Sequence, residues 1–302
     1  HWPRNGRICM FFIVSLAAMV SFFDILSAHP IVVSLTLALV VPTAWRWLKP
    51  MPDLQRKVVF ITGGSEGIGL ALAAELVKRG ATVVLFARTK SKLEAAASAL
   101  TEFVHIQHQQ IGVQEMDVAN SSSVKASLQA AVGTYGVPDI VIPCAGKAHP
   151  GYFLDMDPSV FESTMELNYM GTVRVLKEVV PMLVERGSGR IMLVSSAAGI
   201  CSFIGYSSYS PSKFALRGLG DALRSELNGF GIQVSICYPP DTDTPGFQEE
   251  QKKKPEETKM CFPADPFKAE SVAQKSVDGM LRGDYHIQSP DILQNLLVSY
   301  MS

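Results

Sequence analysis

From residue 57 onward, short apolar runs rich in β-branched residues alternate with longer stretches whose apolar positions recur at helical spacing. KVVFIT (57–62), TVVLFAR (82–88), GVQEMDV (112–118), DIVIPCAG (139–146), RIMLVSS (190–196) and QVSICYP (233–239) read as strands. Between them GLALAAELVKRG (69–80), KSKLEAAASALTEF (90–103), a serine-capped SSVKASLQAAVGTYG (122–136), one long run over 158–187 and the segment around 209–228 read as helices. Strict alternation of this kind predicts a parallel sheet covered on both faces, the α/β Rossmann-type, doubly wound architecture. The segment 239–267 is charged and proline-containing, too polar for core and too long for a simple connection. It is expected to be a lid or a linker.

Two stronger apolar runs, 8–23 and 31–48, precede this pattern, each close to the length that crosses a bilayer. Arg4 and Arg7 flank the first, and Arg46, Lys49, Arg56 and Lys57 follow the second. Basic flanks belong on the cytosolic side, so residues 1–50 are expected to form a helical membrane anchor that returns the chain to the cytosol, with Trp45 and Trp47 at the interface. Pro42 interrupts the second run and leaves one span plus an interfacial helix as the other arrangement. A signal peptide is the other reading of the first run. The α/β domain would occupy 51–302, and the closing SPDILQNLLVSYMS opens an apolar stretch expected to continue.

Charge and cysteine usage narrow the partners. A net charge of −1 with scattered basic residues gives no field that would gather nucleic acid. Cys9, Cys144, Cys201, Cys237 and Cys261 form an odd, widely spaced set without a Cys-x-x-Cys. Reduced thiols and no metal site are expected.

TGGSEGIG (62–69) lies between the first strand and the first helix. There a glycine turn lets backbone N–H groups approach a pyrophosphate, and the helix N-terminus adds partial positive charge. Gly63, Gly67 and Gly69 are the expected functional glycines, with Ser65 and Ile68 beside them. No Gly-Lys-Ser/Thr follows, so the loop is not of the NTPase kind. At the end of the second strand stands Arg88, where a basic residue would pair with the 2′-phosphate of NADPH. Lys92 joins it in the expected cofactor set, while Glu66 would set a carboxylate near the same phosphate.

YSSYSPSK (206–213) sets Tyr209 and Lys213 four residues apart on one helical face. Reduction of a ketone by hydride transfer builds negative charge on its oxygen and calls for a proton donor. Lys213 would lower the phenol pKa of Tyr209 by placing a positive charge nearby. Ser196, at the carboxyl end of a strand, could hold the substrate oxygen.

Together, TGGSEGIG, Asp117 in MDVA, PCAG (143–146), Asn168 in ELNYMG, Ser196 in VSSAAG, YSPSK and PPDTDT (239–244) resemble, in order and spacing, the short-chain dehydrogenases/reductases. The resemblance implies catalysis by Asn168, Ser196, Tyr209 and Lys213, with Asn168 organising a proton-carrying water chain. It also implies cofactor contacts from Asp117 and Val118 at the adenine, from Ala145 and Gly146, and from Pro239 to Thr244, including Thr242, at the nicotinamide amide. Pro143 departs from the family's Asn-Asn-Ala-Gly and removes a backbone donor that usually braces this strand.

CYPPDTDTPGF (237–247), FALRGLGDALRSEL (214–227) and the anchor are similar to members that reduce long-chain sphingoid ketones with NADPH at the cytosolic face of the endoplasmic reticulum membrane. Such a substrate resides in the lipid bilayer, and Phe247, Met260, Phe262 and Phe267 of the lid could receive its chain. The resemblance also allows a homodimer, paired through the helices that carry Asn168 and Tyr209. The rival readings are a membrane-bound reductase of 3-ketoacyl-CoA, a steroid or a retinoid, and a non-catalytic NADPH-binding protein.

Overall fold

The computed structural model describes residues 51–261 and 265–301. The expected anchor lies outside them, and no helix among the described residues is long and apolar enough to cross a membrane.

One parallel sheet organises the domain. Its strands are β1 (Val58–Thr62), β2 (Thr82–Ala87), β3 (Ile111–Glu115), β4 (Ile140–Pro143), β5 (Gly189–Val194), β6 (Ile232–Cys237) and β9 (His286–Ile287), in the order β3-β2-β1-β4-β5-β6-β9. The strands read as continuous apolar runs because both faces are buried. Along β1, Val59 and Ile61 enter one core while Phe60 enters the other. The first core packs α1 (Gly67–Lys78), α2 (Lys90–Leu100) and α9 (Ala269–Arg282) through Leu72, Leu93 and Val277. The second packs α3 (Ser121–Tyr135) and α5 (Gly171–Arg186), and takes Leu227 from the end of α6 (Ser210–Leu227).

Several elements differ from the sequence reading, each for a local reason. The cap of α3 is Asn120, not a serine: its side chain accepts from the Ser123 N–H at 3.0 Å, while the Ser123 hydroxyl accepts from the Asp117 N–H. The long helix expected over 158–187 is divided into α4 (Pro158–Met165), a π-helical segment over Glu166–Met170, and α5. The segment 239–267 is largely folded, with β7 (Thr242–Asp243) paired to β8 (Phe267–Lys268) and two short helices, α7 (Pro245–Gln251) and α8 (Glu256–Cys261), between them. Helix α9 and strand β9 add to the elements expected from the sequence; two residues of strand carry no period. The closing helix is α10 (Ile292–Met301).

The winding reverses between β1 and β4, so the carboxyl ends of β1, β4, β5 and β6 open onto one crevice.

Candidate active site

The turn from β1 into α1 has room for nothing but hydrogen at two positions. Gly63 has φ 66°, and a Cβ there would come within 2.9 Å of the Ala145 Cα. A Cβ on Gly69 would lie 2.2 Å from the Gly63 carbonyl oxygen. The turn therefore folds tightly at the N-terminus of α1, the geometry that brings backbone N–H groups to an anionic group. Pro143 leaves the neighbouring strand well braced, contrary to expectation: the Thr62 hydroxyl accepts from both the Cys144 and the Ala145 N–H, each at 3.1 Å.

Arg88 is exposed just beyond β2. Lys92 donates to Glu66 at 2.8 Å, so that carboxylate is already partnered and is not free to oppose an anion at Arg88. Asp117 stands outside the cavity wall that Met116 and Val118 form. Its side chain accepts from the Ala119 N–H at 3.0 Å and serves the turn leading into α3.

Ser196 follows β5 and accepts from the Ala198 N–H at 3.1 Å. Its hydroxyl is hydrogen-bonded to Tyr209, which precedes α6. Lys213, one turn further on, is buried; its Nζ donates to the Val194 carbonyl at 2.9 Å and lies 5.6 Å from the Tyr209 ring centroid. Burial lowers the Lys213 pKa to about 8. The phenol of Tyr209 is pushed above its ordinary value by enclosure and then by the Glu250 charge, with the Ser196 hydrogen bond acting the other way. This corrects the expectation that Lys213 lowers it, because the ammonium is turned toward Val194 while Glu250 and Asp241 add negative charge. Tyr209 thus holds its proton at neutral pH, as a donor must.

Asn168 sits in the π-helical segment, fully buried. Its amide donates to the Lys147 carbonyl at 3.1 Å and to the Ser212 hydroxyl at 3.0 Å, and its oxygen accepts from the Lys147 N–H at 2.9 Å. It lies behind the cavity wall: a Cβ on Gly146 would be 3.0 Å from its oxygen and 3.5 Å from the Lys213 Nζ. Gly146 is the thin wall between them.

The lid joins the same place. Thr244 caps α7 by accepting from the Phe247 N–H at 3.1 Å, and its side chain faces Gly67. The Ala197 N–H donates to the Pro239 carbonyl at 3.0 Å, tying the end of β6 to the serine turn. Phe247 and Phe267 line the cavity; Met260 is 78% exposed and does not, and Phe262 is outside the described residues. Sequence reasoning missed Tyr206, Glu250 and Lys254, which also line it. The one signal was the i,i+4 spacing of Glu250 and Lys254, which ordinarily marks a solvated helix face.

All the expected catalytic and cofactor residues except Asn168 and Asp117 line one cavity of about 1020 Å³. The family model for short chain dehydrogenases matches residues 57–255. The chain belongs to this family. As a short-chain dehydrogenase it is an oxidoreductase with a nicotinamide cofactor, and the tight glycine turn at the head of the 12-residue α1 fits a pyrophosphate. A 3-ketodihydrosphingosine reductase of Dictyostelium discoideum is 40% identical to it over 255 residues, 78% of this chain and 75% of the relative. A 3-dehydrosphinganine reductase of Danio rerio is 40% identical over 241 residues, 79% of this chain and 73% of the relative. The crystal structure of levodione reductase shares the fold with a TM-score of 0.70 at 24% identity, covering 76% of this chain and 91% of that one.

Proposed function

We propose that this short-chain dehydrogenase reduces 3-ketodihydrosphingosine to dihydrosphingosine with NADPH. The observation that carries the reading is the meeting of Ser196, Tyr209 and Lys213 at one cavity, in a chain 40% identical to a 3-ketodihydrosphingosine reductase.

When bound, the reduced nicotinamide supplies the hydride. The Ser196 and Tyr209 hydroxyls hold the ketone oxygen, and Tyr209 gives it a proton as negative charge grows there. The phenolate that remains takes a proton back from the Lys213 ammonium one turn away, which burial makes readier to give one and which refills from solvent. Asn168 acts as a positioning residue: by clasping the Lys147 peptide and Ser212 it fixes Gly146 against Lys213. NADPH rather than NADH is supported by Arg88 after β2 and by the pairing of Glu66 with Lys92. The apolar runs of residues 1–50 and their basic flanks support a place on the cytosolic face of the endoplasmic reticulum membrane, where a long-chain ketone would be met.

The test is product identification by mass spectrometry after incubating the detergent-solubilised protein with 3-ketodihydrosphingosine and NADPH. Dihydrosphingosine in proportion to NADPH consumed is the expected result. Consumption without that product would sink the substrate assignment.

A further inference from the structure

The cavity holds an ionic group that neither gives nor takes the hydride or the proton. Lys254, only 5% exposed, lies 3.1 Å from the Asp241 carboxylate and 3.8 Å from that of Glu250. The Tyr206 hydroxyl donates to Glu250, and the Tyr206 ring centroid is 5.9 Å from that of Tyr209. Two carboxylates thus share one buried ammonium. One negative charge is left over beside the proton donor; Asp241 is 42% exposed and solvated, so the enclosed carboxylate is that of Glu250, 16% exposed.

Burying a charge that lacks a counter-charge is costly, and the Glu250 carboxyl is indeed pushed up by its burial. Among the described residues of the cavity wall, the lysines besides Lys254, the paired Lys92 and the catalytic Lys213 are Lys253 and Lys147, whose charges act on Glu249. The surplus acts on the reaction centre itself, since the Glu250 charge is the largest influence on Tyr209 after burial. A ligand cation held next to the reacting carbonyl would balance it.

The substrate proposed above carries such a cation: a primary ammonium on the carbon next to the ketone. Resting on that reading, the geometry points to Glu250, oriented by Tyr206 and shared with Lys254, as the subsite that binds the ammonium of a 2-amino-3-ketone while Tyr209 and Ser196 hold its oxygen. Occupied, the group becomes neutral, with Glu250 and Asp241 matched by Lys254 and the ligand. Unoccupied, it opposes ketones without an amine, because they would seal the carboxylate away from water and leave the surplus charge unmatched. The neutral steroid and retinoid ketones and the anionic 3-ketoacyl thioesters would be turned away at this point.

The experiment compares two substrates of one chain length, 3-ketodihydrosphingosine and its analogue lacking the amine, with the full chain in detergent and NADPH. The wild type is expected to favour the amine by at least about tenfold in kcat/KM. Glu250→Gln, matched in size, should lose most of that preference through a raised KM for the amino ketone, and Glu250→Asp should restore part of it. NADPH binding followed by fluorescence checks that each variant is folded. A wild-type preference that survives Glu250→Gln overturns the subsite and leaves the reductase reading standing. If the wild type reduces neither ketone, the reductase reading falls and takes the subsite with it.

Discussion

A phenol holds its proton at neutral pH, and at Tyr209 enclosure and the Glu250 charge outweigh the hydrogen bond to Ser196 and tighten that hold. Replacing Tyr209 by Phe removes the donor and leaves the packing. Turnover is expected to fall about a thousandfold, with NADPH binding by fluorescence titration unchanged. Lys213 sets the upper pH limit. Its pKa is lowered to about 8, so the ammonium that returns a proton to Tyr209 is present below that pH and lost above it. The rate of reduction should therefore decline as pH rises through about 8, and a pH profile that stays flat to pH 10 would remove Lys213 from this role. Arg88 is exposed after β2 and its effect should be confined to cofactor choice. Arg88→Ala is expected to lower the ratio of kcat/KM for NADPH over NADH by about tenfold or more, read in parallel assays with the two cofactors.

At the scale of elements, the π-helical segment Glu166–Met170 turns Asn168 into the interior, where its three hydrogen bonds bind it to Lys147 and Ser212. Asn168→Ala leaves the Lys147 peptide without those partners and should cost about 2 kcal/mol in a denaturant titration. The flanking helices were legible in the sequence because their apolar spacing is regular, whereas the π-helical segment changes that spacing for only five residues. TGGSEGIG was legible for a steric reason, since Gly63 and Gly69 stand where a Cβ would meet backbone. Tyr209 and Lys213 were legible because one helix places them together. Glu250 and Lys254 were not: four apart in a charged run they look solvated, and long-range contacts bury them, Lys254 with Asp241 and over the Phe247 ring at 4.9 Å, Glu250 with the Tyr206 hydroxyl. The polarity that marked 239–267 as unsuited to the core is, at Lys254, polarity folded inward.

For the domain as a whole, one crevice at the carboxyl edge of the sheet gathers the glycine turn, the serine and tyrosine hydroxyls and the lid. A cofactor bound there contacts segments far apart in sequence and should stabilise them together. At a hundredfold excess over its Kd, NADPH is expected to add about 2.7 kcal/mol to the unfolding free energy, with NADH at the same concentration adding clearly less, as read by thermal melts. The account stands most directly on where the hydride goes. Incubation of the protein with 3-ketodihydrosphingosine and NADPH deuterated at the transferred position of the nicotinamide should yield dihydrosphingosine with one deuterium on the hydroxyl-bearing carbon that was the ketone, and Tyr209→Phe should yield almost none. Wild-type protein that binds the labelled NADPH and the ketone yet transfers no deuterium to that carbon would contradict it.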